Sequence, residues 1–293
     1  MARLTEFPGN RLTMKGTLFV VATPIGNLAD ASERSIETLR AASVIACEDT
    51  RVSRTLFARF GIAAESVALH EHNEREAAAR LLERLARGEH VALVSDAGTP
   101  GVSDPGALLV AQAHARGIRV APIPGPSAVS AAVSASGFPA AAYHFAGFLP
   151  ASPAARRKAL EWLDLPVPLV LFEAPHRIDK MLSDLLERFG GEREIVLARE
   201  VTKKFEEIAR MPLAACAAWL AGAAHRQQGE FVVVVAPGPE RLPAPALDAT
   251  KVLNVLLEVL APSEAARIAA RITGESKNAL YKRALEGRPR RHK

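Results

Sequence analysis

The sequence predicts two α/β domains followed by a small C-terminal helical module. Short apolar runs of strand type alternate with helical patterns in the first part of the chain, and the alternation recurs in the second part. Three further helical patterns follow a proline-rich stretch at 237–249, which fits a linker. Such alternation is typical of sheets with helices packed against them. The predicted segments are 15–125, 126–240 and 250–293.

The first domain is predicted to be a doubly wound parallel sheet, because its strand candidates are mostly apolar on both faces. The strand candidates are 17–23, 43–48, 66–70, 90–96 and 119–124. The helix candidates are 32–42, 73–88 and 106–117, and the last two end on a glycine.

The remaining strand and helix candidates belong to the second domain and to the C-terminal module. Strands are expected at 143–150, 168–174, 194–200, 205–211 and 230–237, with helices at 152–163 and 177–190. The module is predicted to hold helices at 250–260, 262–273 and 276–286. The last two are separated by the short segment TGES, a spacing that resembles a helix-turn-helix.

Composition excludes several classes of protein. The chain has 293 residues, 49% of them hydrophobic, and none of its apolar stretches approaches the roughly 20 residues of a membrane helix. Residues 1–15 lack the pattern of a signal peptide, so we expect a cytoplasmic protein. Cys47 and Cys216 have neither CxxC spacing nor a neighbouring histidine pair, so neither a disulfide framework nor a zinc site is predicted.

The charge is unevenly distributed. The whole chain carries a formal net charge of +5, whereas residues 251–293 hold ten Lys or Arg and four Glu, a net of +6. A basic module on a nearly neutral body favours a polyanionic partner, with nucleic acid first among the candidates. The alternative is a solvated basic tail, which charged runs often are.

The segment LVSDAGTPGVSDPG at 93–106 follows the fourth strand candidate and is rich in residues that shape the backbone. Gly98, Gly101 and Gly106 allow a positive φ and close approach of another group, and the two prolines fix φ and remove donors. Taken alone, the segment is either a ligand-binding loop or a surface turn.

Polar segments follow the other strands of the first domain at the same sheet edge, because the carboxyl ends of parallel strands lie together. They are TPIGNL, EDTR, HEHNE and PGPSA, and FEAPHR and ARE follow two strands of the second domain. We therefore expect the two domains to close over one cleft. The segment EDTR is either functional or a structural salt bridge at a helix start.

Two kinds of site are not favoured. The full dinucleotide and triphosphate fingerprints are missing. The segment HEHNE lacks a clear third metal ligand, so no metal site is predicted.

Taken together, these segments resemble the S-adenosylmethionine-dependent methyltransferases of the tetrapyrrole-methylase fold. The segments that carry the resemblance are FVVATPIGNL, ACEDTR, HEHNE, LVSDAGTPGVSDPG, PIPGPSA, FEAPHR and ARE followed by TK. Within that fold they are similar to the branch that 2′-O-methylates a cytidine ribose in the decoding region of 16S rRNA. Gly98-Thr99-Pro100 stands where much of the fold has G-D-P, which argues against a corrinoid substrate.

The resemblance implies S-adenosylmethionine as cofactor, in a cleft between the two α/β domains. The residues implied to bind it are Ile25, Gly98, Thr99, Val102, Ser127 and Ala128, with Phe172 and Glu173 from the facing domain. It further implies 16S rRNA, in the 30S subunit, as partner, and a homodimer.

Methylation of a ribose hydroxyl needs a group that takes its proton. The candidates are Asp49, His72 and Glu200, and spacing alone does not rank them. Arg51 and Lys203 are expected to hold phosphate or orient the nucleotide. The basic residues Lys277, Lys282 and Arg283 on the last helix candidate are expected to dock RNA.

Two other interpretations remain. The chain is alternatively a methyltransferase of the same fold that acts on a small molecule or a protein, for which the basic module is unneeded. It is alternatively a non-enzymatic RNA-binding assembly factor, for which an intact cofactor loop is unneeded.

Overall fold

The computed structural model describes residues 15–239 and 248–286, and these contain ten strands and eleven α-helices. They fall into two compact units, one extending to Gly238 and one beginning at Pro239. Most of the predicted linker lies outside the described residues, as do residues 1–14. The same is true of four of the ten basic residues of the module, namely Arg288, Arg290, Arg291 and Lys293.

The first five strands form one parallel sheet in the order β3-β2-β4-β1-β5. The strands are β1 Thr17–Val21, β2 Val44–Cys47, β3 Glu65–Ala68, β4 Val91–Val94 and β5 Arg119–Ile123. The helices between them are α1 Glu33–Ala41, α2 Thr50–Phe60, α3 Glu74–Ala86 and α4 Ala107–Ala115. The predicted parallel sheet is confirmed, whereas α2 was not among the predicted helices.

Helices cover both faces of this sheet, and each face has its own hydrophobic core. One face packs α3 and α4 through residues such as Leu82 and Leu109, and the other packs α1 and α2 through Leu39 and Phe57. All four residues of β4 are buried. Each fully buried large aliphatic side chain of this kind contributes roughly 1.5–3 kcal/mol. The apolar runs of the sequence are therefore explained by burial on both faces.

The second sheet is mixed, in the order β6-β7-β10-β8-β9. Its strands are β6 His144–Phe148, β7 Leu169–Glu173, β8 Glu194–Arg199, β9 Glu207–Pro212 and β10 Phe231–Val235. The helices are α5 Ala128–Ser136, α6 Pro153–Leu160, α7 Pro175–Phe189 and α8 Cys216–Ala221, of which α5 and α8 were not predicted from the sequence.

The central strand β10 sets the edge that matters for the site. It runs antiparallel to both β7 and β8, and Phe231 at its start pairs with Glu173 and with Arg199 at the ends of those strands. The carboxyl ends of β7 and β8 therefore share one edge with the beginning of β10.

Helix α5 covers the face of the second sheet that receives the first loop of the first sheet. Val129 and Ala132 of α5 pack against Val170 and Val232, and Ile25, which follows β1, is partly buried in the same cluster. The loop after β1 is thereby held against the second sheet.

The second unit is a three-helix cluster made of α9 Ala249–Leu257, α10 Pro262–Thr273 and α11 Lys277–Glu286. Leu253, Leu280 and the small residues Ala265 and Ala269 form its core. Helix α10 ends at Gly274, whose φ of +77° favours glycine. Among all the described residues, none of the helices is long and apolar enough to cross a membrane.

Candidate active site

A cavity of about 250 Å³ lies where the loops of the first sheet meet the edge of the second. Five predicted site residues line it, namely Ile25, Ala128, Phe172, Glu173 and Lys203. The other lining residues are Ala97, Ser103, Asp104, Phe148, Ala174, Val201, Glu230, Phe231 and Val232. Segments from both α/β halves therefore form one concave site.

The glycine-rich segment 93–106 is tied to the loop after β1. The amide of Gly98 donates to the carbonyl of Thr23 at 3.1 Å, and the amide of Thr23 donates to the carbonyl of Gly98 at 2.8 Å. Gly98 has a φ of +85°, and a Cβ placed there would lie 3.5 Å from Cγ2 of Ile25. The positive φ is the reason glycine is required at this position.

The end of the same segment is fixed by Glu74 of the HEHNE motif. Its Oε1 accepts hydrogen bonds from the amides of Gly106 at 2.9 Å and Leu108 at 3.1 Å, at the beginning of α4. A carboxylate at this position satisfies amides that the helix leaves unpaired. Glu74 thus stabilises the loop and the helix that follows it.

Four of the predicted cofactor residues are not among the residues that line the cavity, namely Gly98, Thr99, Val102 and Ser127. Thr99 and Val102 form a turn in which the amide of Val102 donates to the carbonyl of Thr99 at 3.3 Å. The side chain of Ser127 accepts from the amide of Ser130 and caps α5. Ser127 therefore positions the start of α5, where Ala128 lines the cavity.

Glu173 carries a buried carboxylate that is only partly satisfied. Glu173 is only 1% exposed. Its Oε1 accepts a hydrogen bond from the amide of Ala174 at 2.9 Å and lies 3.1 Å from Nε of Arg177. The other oxygen, Oε2, is buried without a hydrogen-bond partner. Buried acceptors are rarely left in this state. Glu173 therefore fits a ligand that brings a donor, such as the amino group or ribose hydroxyls of S-adenosylmethionine.

Lys203 is held between two carboxylates. Its Nζ lies 2.9 Å from Oε1 of Glu200 and 2.8 Å from Oε2 of Glu230. Burial alone lowers the pKa of Lys203, but the hydrogen bonds that its ammonium donates to Glu230 and Glu200 raise the pKa above its ordinary value. Lys203 is therefore a fixed cation on the wall of the cavity.

Glu200 itself does not line the cavity, although both of its partners do. Its Oε1 accepts from Lys203 and from the amide of Glu230 at 2.9 Å. Burial raises the pKa of Glu200, but the Glu230 amide and the Lys203 ammonium together lower it below its ordinary value. The carboxylate is thus ionised at neutral pH and held in one place.

Backbone strain accumulates at this site. Ser103, Glu200 and Thr202 all have positive φ values, of 67°, 51° and 66°, although none is a glycine. Such conformations cost about 1–3 kcal/mol each and are often found at functional sites. Here all three belong to segments that form or adjoin the cavity.

Asp49 is engaged at the start of α2. Its Oδ1 accepts from the amide of Arg51 at 2.8 Å, and its Oδ2 lies 2.6 Å from the Arg51 guanidinium. The hydrogen bond from the Arg51 side chain is the largest cause that lowers the pKa of Asp49 to about 2. The structural salt bridge considered from the sequence is therefore present. Arg51 points to solvent, with a side chain 84% exposed.

His72 is exposed, with 84% of its side chain accessible, and its Nε2 lies 3.6 Å from a carboxylate oxygen of Glu71. It does not line the cavity. Throughout the part of the chain that the structure describes, there is no group of three or more His, Cys, Asp or Glu side chains able to hold a metal ion.

A group of acidic side chains lies beside Asp49. Burial raises the pKa of Glu48, and the nearby Asp104, Asp96 and Asp49 raise it further. Burial also raises the pKa of Asp104, with a smaller contribution from Asp96. The ends of β2 and β4 thus hold carboxylates that destabilise each other's ionised forms.

Several residues that line the cavity were not identified from the sequence, and only some of them lie where a sequence pattern points to the site. Ser103 and Asp104 lie inside the segment that was singled out, and Phe148 lies close to the end of the predicted strand 143–150, so the rule of strand ends points to them. Glu230 precedes a strand rather than following one. Only the antiparallel direction of β10 brings it to this edge.

In the second unit, Lys277 and Lys282 are exposed on α11. Arg283 lies 3.0 Å from Glu275 and is therefore already paired. Tyr281 is exposed between these cations, whereas Leu280 and Ala284 face the core. Helix α11 presents a mixed basic and aromatic surface.

Two family models match the chain. The model for Tetrapyrrole (Corrin/Porphyrin) Methylases matches residues 17–217, and the model for the RsmI C-terminal HTH domain matches residues 243–288. Together they cover most of the α/β body, up to residue 217, and the helical module.

Curated relatives match nearly the full length. A protein of Pseudomonas aeruginosa named ribosomal RNA small subunit methyltransferase I is 51% identical over 92% of this chain and 97% of its own length. Proteins of the same name from Mesorhizobium japonicum and Escherichia coli O157:H7 are 49% and 45% identical, covering 98% and 93% of this chain and 96% of each relative.

Solved structures share the fold at low identity. Uroporphyrin-III-C-methyltransferase from Thermus thermophilus has a TM-score of 0.53 at 23% identity, covering 76% of this chain and 94% of that one. A diphthine synthase has a TM-score of 0.55 at 19% identity, covering 75% and 89%. A structure described as uroporphyrin-III C-methyl transferase from Thermus thermophilus complexed with S-adenyl homocysteine has a TM-score of 0.52 at 19% identity, covering 75% of this chain and 97% of that one.

These matches confirm the predicted fold class, and they confirm S-adenosylmethionine as the cofactor of the family. The site residues fit that cofactor through the unpartnered Glu173 oxygen and the glycine-shaped loop. The chain therefore belongs to the tetrapyrrole methylases and, within them, to the ribosomal RNA small subunit methyltransferase I family.

Proposed function

We propose that the chain methylates the 2′-hydroxyl of a cytidine ribose in the decoding region of 16S rRNA, with S-adenosylmethionine as methyl donor. The observation that carries the proposal is the cavity between the two sheets, which joins a glycine-shaped loop, the half-satisfied Glu173 carboxylate and the fixed Lys203 cation. The names of the relatives support rRNA of the small subunit as substrate.

The cofactor is held by residues from both sheets. The segment from Gly98 to Val102 supplies closely approaching backbone, Ile25 and Ala128 supply apolar walls, and Glu173 accepts a hydrogen bond with its free oxygen. When bound, S-adenosylmethionine supplies an electrophilic methyl group on a sulfonium centre. Since it carries no phosphate, it needs no phosphate-binding loop, and shaped backbone, apolar walls and the Glu173 carboxylate together bind it.

The protein positions the ribose hydroxyl and removes its proton. A neutral alcohol is a poor nucleophile, so a basic group accelerates the reaction by roughly 10²- to 10⁴-fold. Glu200 is the favoured base among the three candidates, because its partners Lys203 and Glu230 line the cavity. Asp49 ranks below it because neither Asp49 nor its partner Arg51 lines the cavity, and because the hydrogen bond from Arg51 lowers the pKa of Asp49 to about 2. His72 ranks last, since it is exposed and neither it nor its neighbouring carboxylate Glu71 lines the cavity.

Cations guide the RNA to this cavity. Lys203 offers its charge at the cavity wall, and Arg51 offers an exposed guanidinium near the end of β2. Lys277, Lys282 and Arg283 of α11 form the proposed docking surface on the second unit, with Arg283 exchanging Glu275 for phosphate. Such contacts position the RNA, and the cavity selects the nucleotide. We further propose that the enzyme acts on the 30S subunit, as a cytoplasmic homodimer.

The experiment is methyl transfer from labelled S-adenosylmethionine to naked 16S rRNA and to 30S particles. Nuclease digestion and mass spectrometry then locate the methyl group. We expect 2′-O-methylcytidine from the decoding region, with 30S particles as the better substrate. A methyl group on a base, or on a small molecule or protein in place of RNA, contradicts the proposal.

The contribution of Glu173 is tested by Glu173→Gln, which keeps the shape but alters the free oxygen. Glu187→Gln on the exposed side of α7 is the matched control. The first variant is expected to weaken binding of S-adenosylhomocysteine in calorimetry by about tenfold or more, since hydrogen bonds to charged groups contribute roughly 1.5–3 kcal/mol. Equal affinities for both variants contradict the assignment.

A further inference from the structure

An irregularity in β6 changes the direction of one aromatic side chain. Phe145 pairs with Val170, and Phe148 pairs with Phe172, so that one extra residue of β6 is accommodated between them. Gly147, at this bulge, has a φ of +64°. In a regular strand, residues three apart point to opposite faces of the sheet. The bulge instead places Phe145 and Phe148 on the same face as Phe172.

The three rings form one cluster in which Phe172 contacts both of the others. Phe172 lies edge-on to Phe145 at 5.0 Å between ring centroids and edge-on to Phe148 at 5.6 Å. Edge-to-face pairs of this kind stabilise the orientation of each ring. Phe148 is therefore oriented by its contact with Phe172, although more than half of it remains exposed.

The bulge also allows the glycine-rich loop to approach. A Cβ placed on Gly147 would lie 3.2 Å from the hydroxyl oxygen of Ser103, so the loop passes directly beside the strand. Ser103 and Phe148 both line the cavity. The exposed ring is thus adjacent to the loop assigned to the cofactor.

Exposure distinguishes the rim of the cavity from its floor. Phe148 is 56% exposed, whereas Glu173 is 1% exposed and Phe231 is 2% exposed. A large apolar ring left open beside deeply buried lining residues marks the place where a group entering from solvent first meets the cavity. A macromolecular substrate enters by the rim, and it cannot reach the floor as a whole.

We propose that the open face of Phe148 stacks on the unstacked base of the nucleotide whose ribose is methylated. The inference rests on the proposed function. Proteins that select single nucleotides in RNA commonly stack the exposed base on an aromatic side chain. Stacking fixes the nucleotide at the rim and leaves its ribose directed to the cavity. The chemical class recognised is a planar nucleobase.

The test uses Phe148→Ala and Phe148→Trp, with Trp162→Ala as control. Trp162 is an aromatic residue that is 76% exposed and does not line the cavity. Rates with 30S particles are measured at saturating S-adenosylmethionine, and S-adenosylhomocysteine binding is measured by calorimetry. We expect Phe148→Ala to lower kcat/KM for the particle by roughly 5- to 150-fold, the range for loss of one stacked base.

In the same test the affinity of Phe148→Ala for S-adenosylhomocysteine is expected to stay within about twofold of wild type, because the ring lies at the rim. Phe148→Trp is expected to restore most of the loss, since any aromatic face stacks on a base. An equal loss of S-adenosylhomocysteine affinity assigns the ring to the adenine of the cofactor and overturns the proposal.

Unchanged kinetics of Phe148→Ala with an active wild-type enzyme overturn this inference alone. A wild-type enzyme that produces no 2′-O-methylated cytidine overturns the proposed function, and the inference with it. The two failures are therefore distinguished within one set of measurements.

Discussion

The side chain of Lys203 lies so close to Gly26 that a Cβ added to the glycine would fall 2.3 Å from Cγ of the lysine. Gly26 belongs to the loop after β1, and its φ of +154° favours glycine. Lys203 follows β8 and pairs with Glu200 and Glu230. The loop of one sheet thus provides the space in which the cation of the other is held.

Gly26→Ala is expected to displace Lys203 from its two carboxylates, because the clash involves the part of the side chain nearest the backbone. We expect methylation of 30S particles to fall by about tenfold, equivalent to roughly 1.4 kcal/mol in the barrier. Gly61→Ala is the control, since its φ is also positive, at +63°, but nothing lies within 4 Å. Equal activities for the two variants would show that the space at Gly26 is unimportant.

Gly98→Val is expected to abolish cofactor binding while the affinity for RNA stays close to wild type. The branched side chain is strained at a φ of +85° and occupies the place where the loop approaches Ile25. Calorimetry with S-adenosylhomocysteine measures the first effect and filter binding of 16S rRNA measures the second. Gly190→Val, with a φ of +84° and open space, controls for backbone strain alone. If folded Gly98→Val binds S-adenosylhomocysteine with the same affinity as wild type, the assignment of this loop to the cofactor is refuted.

Glu200→Gln is expected to lower single-turnover methylation by roughly 10²-fold or more if this carboxylate takes the proton. Glu230→Gln removes the other carboxylate partner of Lys203 and serves as the control. A large loss for the first variant and a small one for the second support Glu200 as base. Equal losses indicate that both act by positioning Lys203. The same assay with Asp49→Ala and His72→Ala tests the remaining candidates, for which we expect smaller effects.

Asp104 and Asp49 are expected to contribute to the stability of the fold with opposite signs at neutral pH. Burial raises the pKa of Asp104 in the folded state, so the stability of the fold decreases as the pH rises above the ordinary aspartate pKa, and the loss is complete once the pH exceeds the raised pKa. Asp104→Asn should therefore increase the stability relative to wild type at pH 7, with a smaller gain below about pH 4. Urea denaturation at the two pH values measures the difference.

Asp49→Asn provides the comparison of opposite sign. The folded-state pKa of Asp49, about 2, lies below its ordinary value, so its contribution is present at neutral pH and disappears as the pH falls through about 2. The substitution should destabilise the protein at pH 7. A stabilising effect of Asp49→Asn, or a destabilising effect of Asp104→Asn, would contradict the assigned environments.

Truncation after Pro239 removes the second unit and is expected to leave a folded body that binds S-adenosylhomocysteine. Methylation of 30S particles should decrease mainly through a higher KM, with a weaker dependence on salt. For single-stranded RNA, each lost phosphate contact reduces the slope of log K against log salt by about 0.7. Lys277→Ala with Lys282→Ala in the full chain tests the surface of α11 without truncation. If the truncated protein matches the full chain at the same salt, the module is a solvated extension.

Local pattern was sufficient to find the first sheet and the edge that carries its loops. Runs such as that of β4 are apolar on both faces because they are buried there, and parallel strands necessarily end at one edge. The positive φ at Gly98 follows equally from residue type. The family could be recognised for the same reason, since its motifs are the segments at these strand ends.

The remainder depended on contacts between residues far apart in the chain. The sequence contains no signal for the direction of β10, which brings Glu230 to the cavity, and Gly147 within its strand candidate only permits the bulge that turns Phe148 toward it. The sequence also left open the role of Asp49. In the structure, Asp49 caps α2 and pairs with Arg51. Strand pairing and ion pairing are decided by which segments meet in space. Periodicity reports only which face of a segment is buried, so these features became visible in the tertiary structure alone.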